Sequence, residues 1–201
     1  MARIAFFLLL FLSQTVAYSQ SEVSQTSVFY EELSNAALSL TKDRVIYDPN
    51  YYRIGYPNGD VPAGRGVCTD VVIRAYRKLD IDLQKELHAD IKANFELYPS
   101  RRMWKLNKPD TNIDHRRVPN LQTYFKRKGT VKKISDNAED YNVGDIVTWD
   151  LGKGITHIGI VVNRRSKDKK RLLIVHNIGY GQVLEDCLFK WKITGHYRYK
   201  K

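Results

Sequence analysis

The chain has 201 residues, 43% of them hydrophobic, and 33 Lys and Arg against 22 Asp and Glu give a formal net charge of +11. That length suits one domain with a proper core. No internal repeat, low-complexity linker or second long apolar segment is present, which excludes a repeat array and a polytopic membrane protein.

Arg3 is followed by the apolar run Ile4 to Leu12 and then by small and polar residues ending Ala17-Tyr18-Ser19. This is the pattern of a secretory signal over residues 1–19, removed before Gln20. The run is shorter than the roughly 20 apolar residues a bilayer span needs. The expectation is therefore a periplasmic or secreted protein, residues 20–201, with no integral membrane segment after cleavage; an uncleaved N-terminal anchor is the alternative. A basic exported protein meets anionic envelope polymers before it meets nucleic acid, so the charge fits a cell-wall substrate and no nucleic-acid partner is expected.

Phe29, Leu33, Ala36, Ala37 and Leu40 share a helical face and predict an N-terminal helix. The turn-rich stretch Tyr51 to Gly66 carries the chain to Cys68, where Cys68, Val71, Val72, Ala75, Tyr76 and Leu79 again follow a 3.6-residue period. Cys68 thus falls in the first turn of a helix. There the free N–H groups and the positive end of the helix dipole favour a thiolate and could hold an oxyanion. Leu83, Leu87, Ile91 and Phe95 predict a third helix, and Val118, Leu121, Tyr124 and Phe125 a fourth that opens with Pro119 and stops at Gly129.

Before that fourth helix Asp114, His115, Arg116 and Arg117 concentrate ionisable groups. Two guanidiniums there could bind a substrate carboxylate, and a structural ion-pair cluster is the equal alternative. From Gly144 onward the pattern turns to short β-rich runs: Ile146 to Trp149, Ile158 to Val162, Leu172 to Val175 and His196 to Tyr199. The basic cluster Arg164 to Arg171 between two of them reads as a solvated hairpin loop. Helices first and strands second predict an α+β fold, helices packed on a C-terminal antiparallel sheet.

Two histidines stand at the edges of these runs, His157 in Thr156-His157-Ile158-Gly159-Ile160 and His176 in Ile174-Val175-His176-Asn177. Cysteine, histidine and a polar third residue, in that order, suit a thiol hydrolase. His157 would take the thiol proton, and His176 would orient its ring from the adjoining strand. Strand alternation puts Asn177 on the opposite face, so only one of the two can be the orienting residue, with Asn177 as the alternative. The second cysteine, Cys187, lies in Leu184 to Trp191, which reads as a packed structural element with no nearby base; a Cys68–Cys187 disulfide is the competing reading. Short ligand pairs such as Cys-x-x-Cys are absent, so no metal or cofactor is expected, and a site built from His115, His157, His176 and Cys68 is the alternative.

Val67-Cys68-Thr69-Asp70-Val71-Val72, Gly144-Asp145-Ile146-Val147-Thr148-Trp149, Thr156-His157-Ile158-Gly159-Ile160-Val161 and Ile174-Val175-His176-Asn177 together resemble the NlpC-type papain-like cysteine hydrolases. Over most of its length the chain looks still more like an exported bacterial family classed as a domain of unknown function and grouped with them. Its blocks are Tyr56 to Pro62, Asn112 to Leu121 and Gly195 to Tyr199. The resemblance implies a single papain-like domain with an insertion at about residues 80–140. It implies Cys68 as nucleophile, His157 as base and His176 as third residue, acting as a monomer on amide bonds of peptidoglycan or another envelope peptide. Val67-Cys68-Thr69 stands where Asp-Cys-Ser is common, a departure that bears on substrate more than on chemistry. A non-catalytic, basic envelope-binding module on the same fold is the competing function. A transglutaminase-like acyl transferase shares the Cys-then-His order but normally uses an acidic third group.

Overall fold

The computed structural model describes residues 25–201, so the expected signal segment lies outside the described residues. Helix α1, over 25–40, buries Tyr30, Leu33, Ala36, Ala37 and Leu40, one stripe of the 3.6-residue period. A short parallel pair follows, β1 (Ile46–Tyr47) against β2 (Arg65–Gly66). The loop between them is tied down by Asp48, whose carboxylate accepts from the Asn50 N–H and the Tyr52 hydroxyl and pairs with Arg65. Strand β2 then feeds directly into the helix that opens with Cys68.

That helix, α2 (Cys68–Arg77), starts where expected, and the Asp70 carboxylate closes its first turn by accepting the Val67 N–H at 2.7 Å. The expected apolar stripe is buried from Cys68 to Tyr76, while Leu79 falls beyond the helix end and is half-buried; Thr69, Asp70 and Ile73 are buried too, because the sheet covers one side while helical segments cover others. Helix α3 (Leu83–Ala93) is capped by Asp82, which accepts the Gln84 N–H at 3.0 Å. Helix α4 (Ser100–Trp104) is a single short turn of chain. Helix α5 (Val118–Lys128) has Pro119 in its first turn, where no N–H is needed, and Lys126, Arg127 and Lys128 at its negative end. The stretch read as an insertion is no appendage. Leu83, Leu87, Ile91, Leu121 and Phe125 share one core with Val71, Tyr76 and Ile160.

Six strands form the antiparallel sheet: β3 (Thr130–Val131), β4 (Ile146–Asp150), β5 (Thr156–Arg165), β6 (Leu172–Asn177), β7 (Gln182–Glu185) and β8 (Lys192–Arg198). Their spatial order is β3-β8-β4-β5-β6-β7, and the class is α+β. Residues 166–171 connect β5 to β6, so the basic cluster ends in a hairpin turn. Strand β7 is the one element of the sheet's far edge that the apolar pattern does not announce.

Alternation along the strands separates two cores. Ile158, Ile160, Val162 and Val175 face the helices, together with Cys68, Val71 and Val72. Val147, Trp149, Val161 and Ile174 face the other way, where Tyr141, Cys187 and Leu188 cover them. No helix among the described residues is long and apolar enough to cross a membrane.

Candidate active site

Cys68 is the first residue of α2 and lies at the floor of a cleft of about 360 Å³. Met103, Trp104, Arg117, Val118, Ile155 and Thr156 are among its walls. Met103 and Ile155 are exposed, which gives the opening an apolar rim. A roomier hollow of about 540 Å³ lies beside α1, lined by Phe29, Glu32 and Lys78, with no cysteine or histidine in it. Volume alone therefore does not select a site here.

The thiol is not activated by its position at the helix start. Burial pushes the Cys68 pKa up to about 12; the N–H groups of Ile158, Thr69 and Cys68 itself work against that, and the Asp70 charge adds to it. The expectation of a thiolate favoured in the first turn meets an opposing effect: Cys68 is only 5% exposed at the cleft, and desolvation outweighs the helix terminus.

His157 and His176 are brought together. His157 Nε2 lies 2.7 Å from His176 Nδ1, and His176 Nε2 lies 3.0 Å from a Glu185 carboxylate oxygen. Gly159 makes the approach feasible, because a Cβ there would stand 2.6 Å from Ile174 and 3.2 Å from the His176 Cβ. The rings of Trp149 and Trp191 flank His157 at centroid distances of 5.8 and 5.9 Å. Burial, then the neighbouring His176, lowers His157 to about 3. Burial also lowers His176, against the pull of Glu185, whereas Lys190 holds the Glu185 carboxyl below its ordinary range. An ionised carboxylate only accepts, so His176 carries its proton on Nε2, its Nδ1 accepts from His157 Nε2–H, and His157 Nδ1 is left with a lone pair.

The expectation that His157 takes the Cys68 proton places the two side by side, whereas alternation turns both histidines away from the face on which α2 packs. Trp149 and His157 are direct partners across β4 and β5, and both turn away from Ile158 and the helix. No hydrogen bond links Cys68 to either histidine. Instead the sulfur meets the backbone N–H of Ile158, one residue beyond His157. Pairing of β5 with β6 begins only at Ile160 and Val175, so the strands leave a seam at that end of the sheet. Asn177 lies on the helix face, donating to the Gly66 carbonyl at 3.2 Å and accepting from Gly179, and has no contact with the His157 ring.

Of the four residues expected to bind substrate, three are buried and committed to structure. The Arg116 guanidinium is paired with Asp70 at 3.0 Å and also donates to the carbonyls of Asp48 and Asn50. Asp114 is raised to about 6 by burial and accepts the Asp110 N–H at 2.6 Å. His115 is lowered to about 3 by burial and by Arg116 and Arg77. The ion-pair alternative holds for Arg116, paired with Asp70, and for Asp114, paired with Arg117, whereas His115 is buried and neutral. Arg117 differs: its guanidinium lies 4.0 Å over the Trp104 ring in the cleft wall and only 3.4 Å from Asp114.

Both cysteines are free, so the disulfide reading is set aside. Cys187 does have a base beside it, against expectation, since its sulfur lies 3.7 Å from His176 Nε2. The four residues of the alternative metal reading are not gathered together; the group that converges is His176, Glu185 and Cys187, their ligand atoms within 4.8 Å of one another. Glu185 and Cys187 are the site residues that sequence reasoning missed. Their signal was the turn at Gly179 to Gly181 followed by Val183 and Glu185 in alternation, a hairpin return beside His176.

No solved structure matches this chain. A curated relative, named "Uncharacterized protein YijF", of Escherichia coli (strain K12), is 52% identical over 155 residues, covering 77% of this chain and 74% of the relative. The family model described as "Domain of unknown function (DUF1287)" matches residues 34–199, from within α1 through β8 and including every residue of the site, and the chain belongs to that family.

Proposed function

We propose that this protein is a thiol hydrolase of papain-like, NlpC type that cleaves amide bonds in envelope peptides, peptidoglycan first among them, in the periplasm or outside the cell. One observation carries the reading. The relay Glu185, His176, His157 ends at the residue whose neighbour, Ile158, touches the sulfur of Cys68 at the floor of a cleft.

In this reading substrate enters the cleft with its amide over the start of α2. His157 Nδ1 takes the Cys68 proton through the seam between β5 and β6 as the sulfur attacks the carbonyl carbon. The oxyanion is held by N–H groups of the first helical turn. The C–N bond breaks, His157 returns the proton to the leaving amine, and water hydrolyses the thioester by the reverse relay. His176 is a positioning residue, setting the His157 tautomer. Of Arg116 and Arg117, it is Arg117, stacked on Trp104 and held to Asp114 by one long contact of 3.4 Å, that meets a substrate carboxylate in this reading.

The second reading, a non-catalytic envelope-binding module on the same fold, is favoured by the raised Cys68 thiol and by its lack of a hydrogen bond to His157. Alkylation by iodoacetamide as a function of pH separates the two. A hydrolase gives Cys68 alkylation that is fast at neutral pH and slowed by His157→Ala, together with amine release from peptidoglycan. A binding module gives alkylation only at strongly alkaline pH and no amine release.

A further inference from the structure

We infer that His176, Glu185 and Cys187 form a binding site for a thiophilic divalent cation of the zinc class, and that occupancy of this site switches the relay off. The binding half stands on geometry alone; the switching half rests on the function proposed above.

The three residues offer one nitrogen, one oxygen and one sulfur. This mixed set suits zinc and not magnesium or calcium, which take oxygen ligands. A tetrahedral zinc, with bonds of about 2.3 Å to sulfur and about 2.0–2.1 Å to nitrogen, sets those two atoms roughly 3.5 Å apart. Cys187 Sγ and His176 Nε2 stand 3.7 Å apart, and Glu185 Oε2 lies 3.0 Å from the same nitrogen. All three atoms fall within 4.8 Å of one another, and rotation of the part-exposed Glu185 side chain by about 1 Å or less toward Cys187 brings them round one ion. Lys190 takes only the other Glu185 oxygen, at 2.7 Å, and leaves Oε2 free for the ion. The Glu185 side chain is 32% exposed, which gives an ion a way in and leaves the fourth position to water.

Coordination changes the proton count along the relay. A metal on His176 Nε2 replaces the proton that Glu185 holds there, so the neutral His176 ring carries its proton on Nδ1. Nδ1–H then donates to His157 Nε2. His157 in turn keeps its proton on Nδ1, the atom that must be bare to accept from Cys68. One ion on the far side of His176 thus turns the base into a non-base with no movement of the backbone.

Cobalt(II) added to chelator-treated, reduced protein is expected to give a thiolate-to-cobalt charge-transfer band in the near ultraviolet, displaced by one equivalent of zinc. The band persists in Cys68→Ala and is lost in Cys187→Ser. If Cys187→Ser does not fold, Glu185→Gln serves instead and weakens cobalt binding tenfold or more. No band in the native protein, or a band lost in Cys68→Ala, overturns the site. The switch is read separately by nitrogen-15 shifts of the His157 ring. Zinc moves the proton from Nε2 to Nδ1 if the relay reverses; a bound ion with an unmoved His157 tautomer overturns the switch and leaves the site. Neither measurement needs turnover, so a protein without hydrolase activity still decides both the site and the switch.

Discussion

The two faces of the six-stranded sheet differ in what they can do. On the helix side Ile158, Ile160, Val162 and Val175 pack against α2, and a cleft opens at Cys68. On the other side His157, His176 and Glu185 run as a polar chain beneath two tryptophans, with Cys187 at its end. The first face has access and a helix terminus but no base. The second has a base in a defined tautomer, enclosed by aromatic rings. Where pairing with β6 lapses at Ile158 the two come nearest, so the proposed chemistry draws on both faces.

Separating the two cysteines tests that division most severely. Cys68→Ala is expected to abolish amine release from purified peptidoglycan with an unchanged thermal melt, because a first-turn sulfur contributes little packing. Cys187→Ala keeps turnover within a few-fold in metal-free buffer. Turnover surviving in Cys68→Ala but lost in Cys187→Ala moves the nucleophile to the far face and reverses the comparison.

The next largest effect separates neighbours on one strand. His176→Ala should lower kcat by about 10²- to 10⁴-fold with KM little changed, since a mis-set tautomer harms the transition state and not substrate binding. Asn177→Ala should keep kcat and lose about 1 kcal/mol of stability, the worth of its hydrogen bond to the Gly66 carbonyl. Steady-state kinetics and melts of the two purified variants check this. A crippled Asn177→Ala beside an active His176→Ala sinks the assignment of faces.

Beneath the cleft, the helix face depends on the Arg116–Asp70 pair, both members buried. Arg116→Met strands the Asp70 carboxylate in the core and should cost about 3–5 kcal/mol in urea unfolding. Arg117→Met, in the cleft wall and partly exposed, should cost far less. Equal losses in the two variants contradict the reading of Arg116 as structural and Arg117 as available.

Much of this was legible in the chain. The apolar period placed α2 within its first turn, and strand runs at Ile146, Ile158, Leu172 and His196 each found a strand. Alternation at His176-Asn177 separated the two candidates for the orienting role. What the pattern missed has a common cause. The face that His157 takes is set by register across β4, where Trp149 stands opposite it, and one apolar run read alone does not report that register. Glu185 and Cys187 come from a four-residue edge strand and the turn after it, too short for a periodic signal, and they meet His176 only through hairpin pairing. Arg116 and His115 read equally as a carboxylate-binding cluster and as a structural ion-pair cluster, because composition does not report burial.

Burial of His115 gives an effect that appears only on acidification and is the one most specific to the helix face. Its pKa is held near 3 by burial and the neighbouring Arg116 and Arg77, against 6.5 in the unfolded chain. Above pH 6.5 both states are neutral at this ring and its contribution is complete. As pH falls below 6.5 the unfolded chain takes up a proton that the fold refuses until about pH 3, so stability drops across that window. At about 1.36 kcal/mol per unit, acidification from pH 6.5 to 5 costs roughly 2 kcal/mol at this residue. Asp114, raised to about 6, acts in the opposite sense between pH 3.8 and 6, so the His115 contribution is read as a difference between proteins. His115→Gln removes the titrating ring and keeps a polar side chain of similar reach. Urea unfolding of native protein and variant at pH 7, 6 and 5 is expected to give a native curve that falls toward the variant's on acidification by about 2 kcal/mol. Parallel curves mean that His115 is protonated in the fold and that the segment before α5 opens to water.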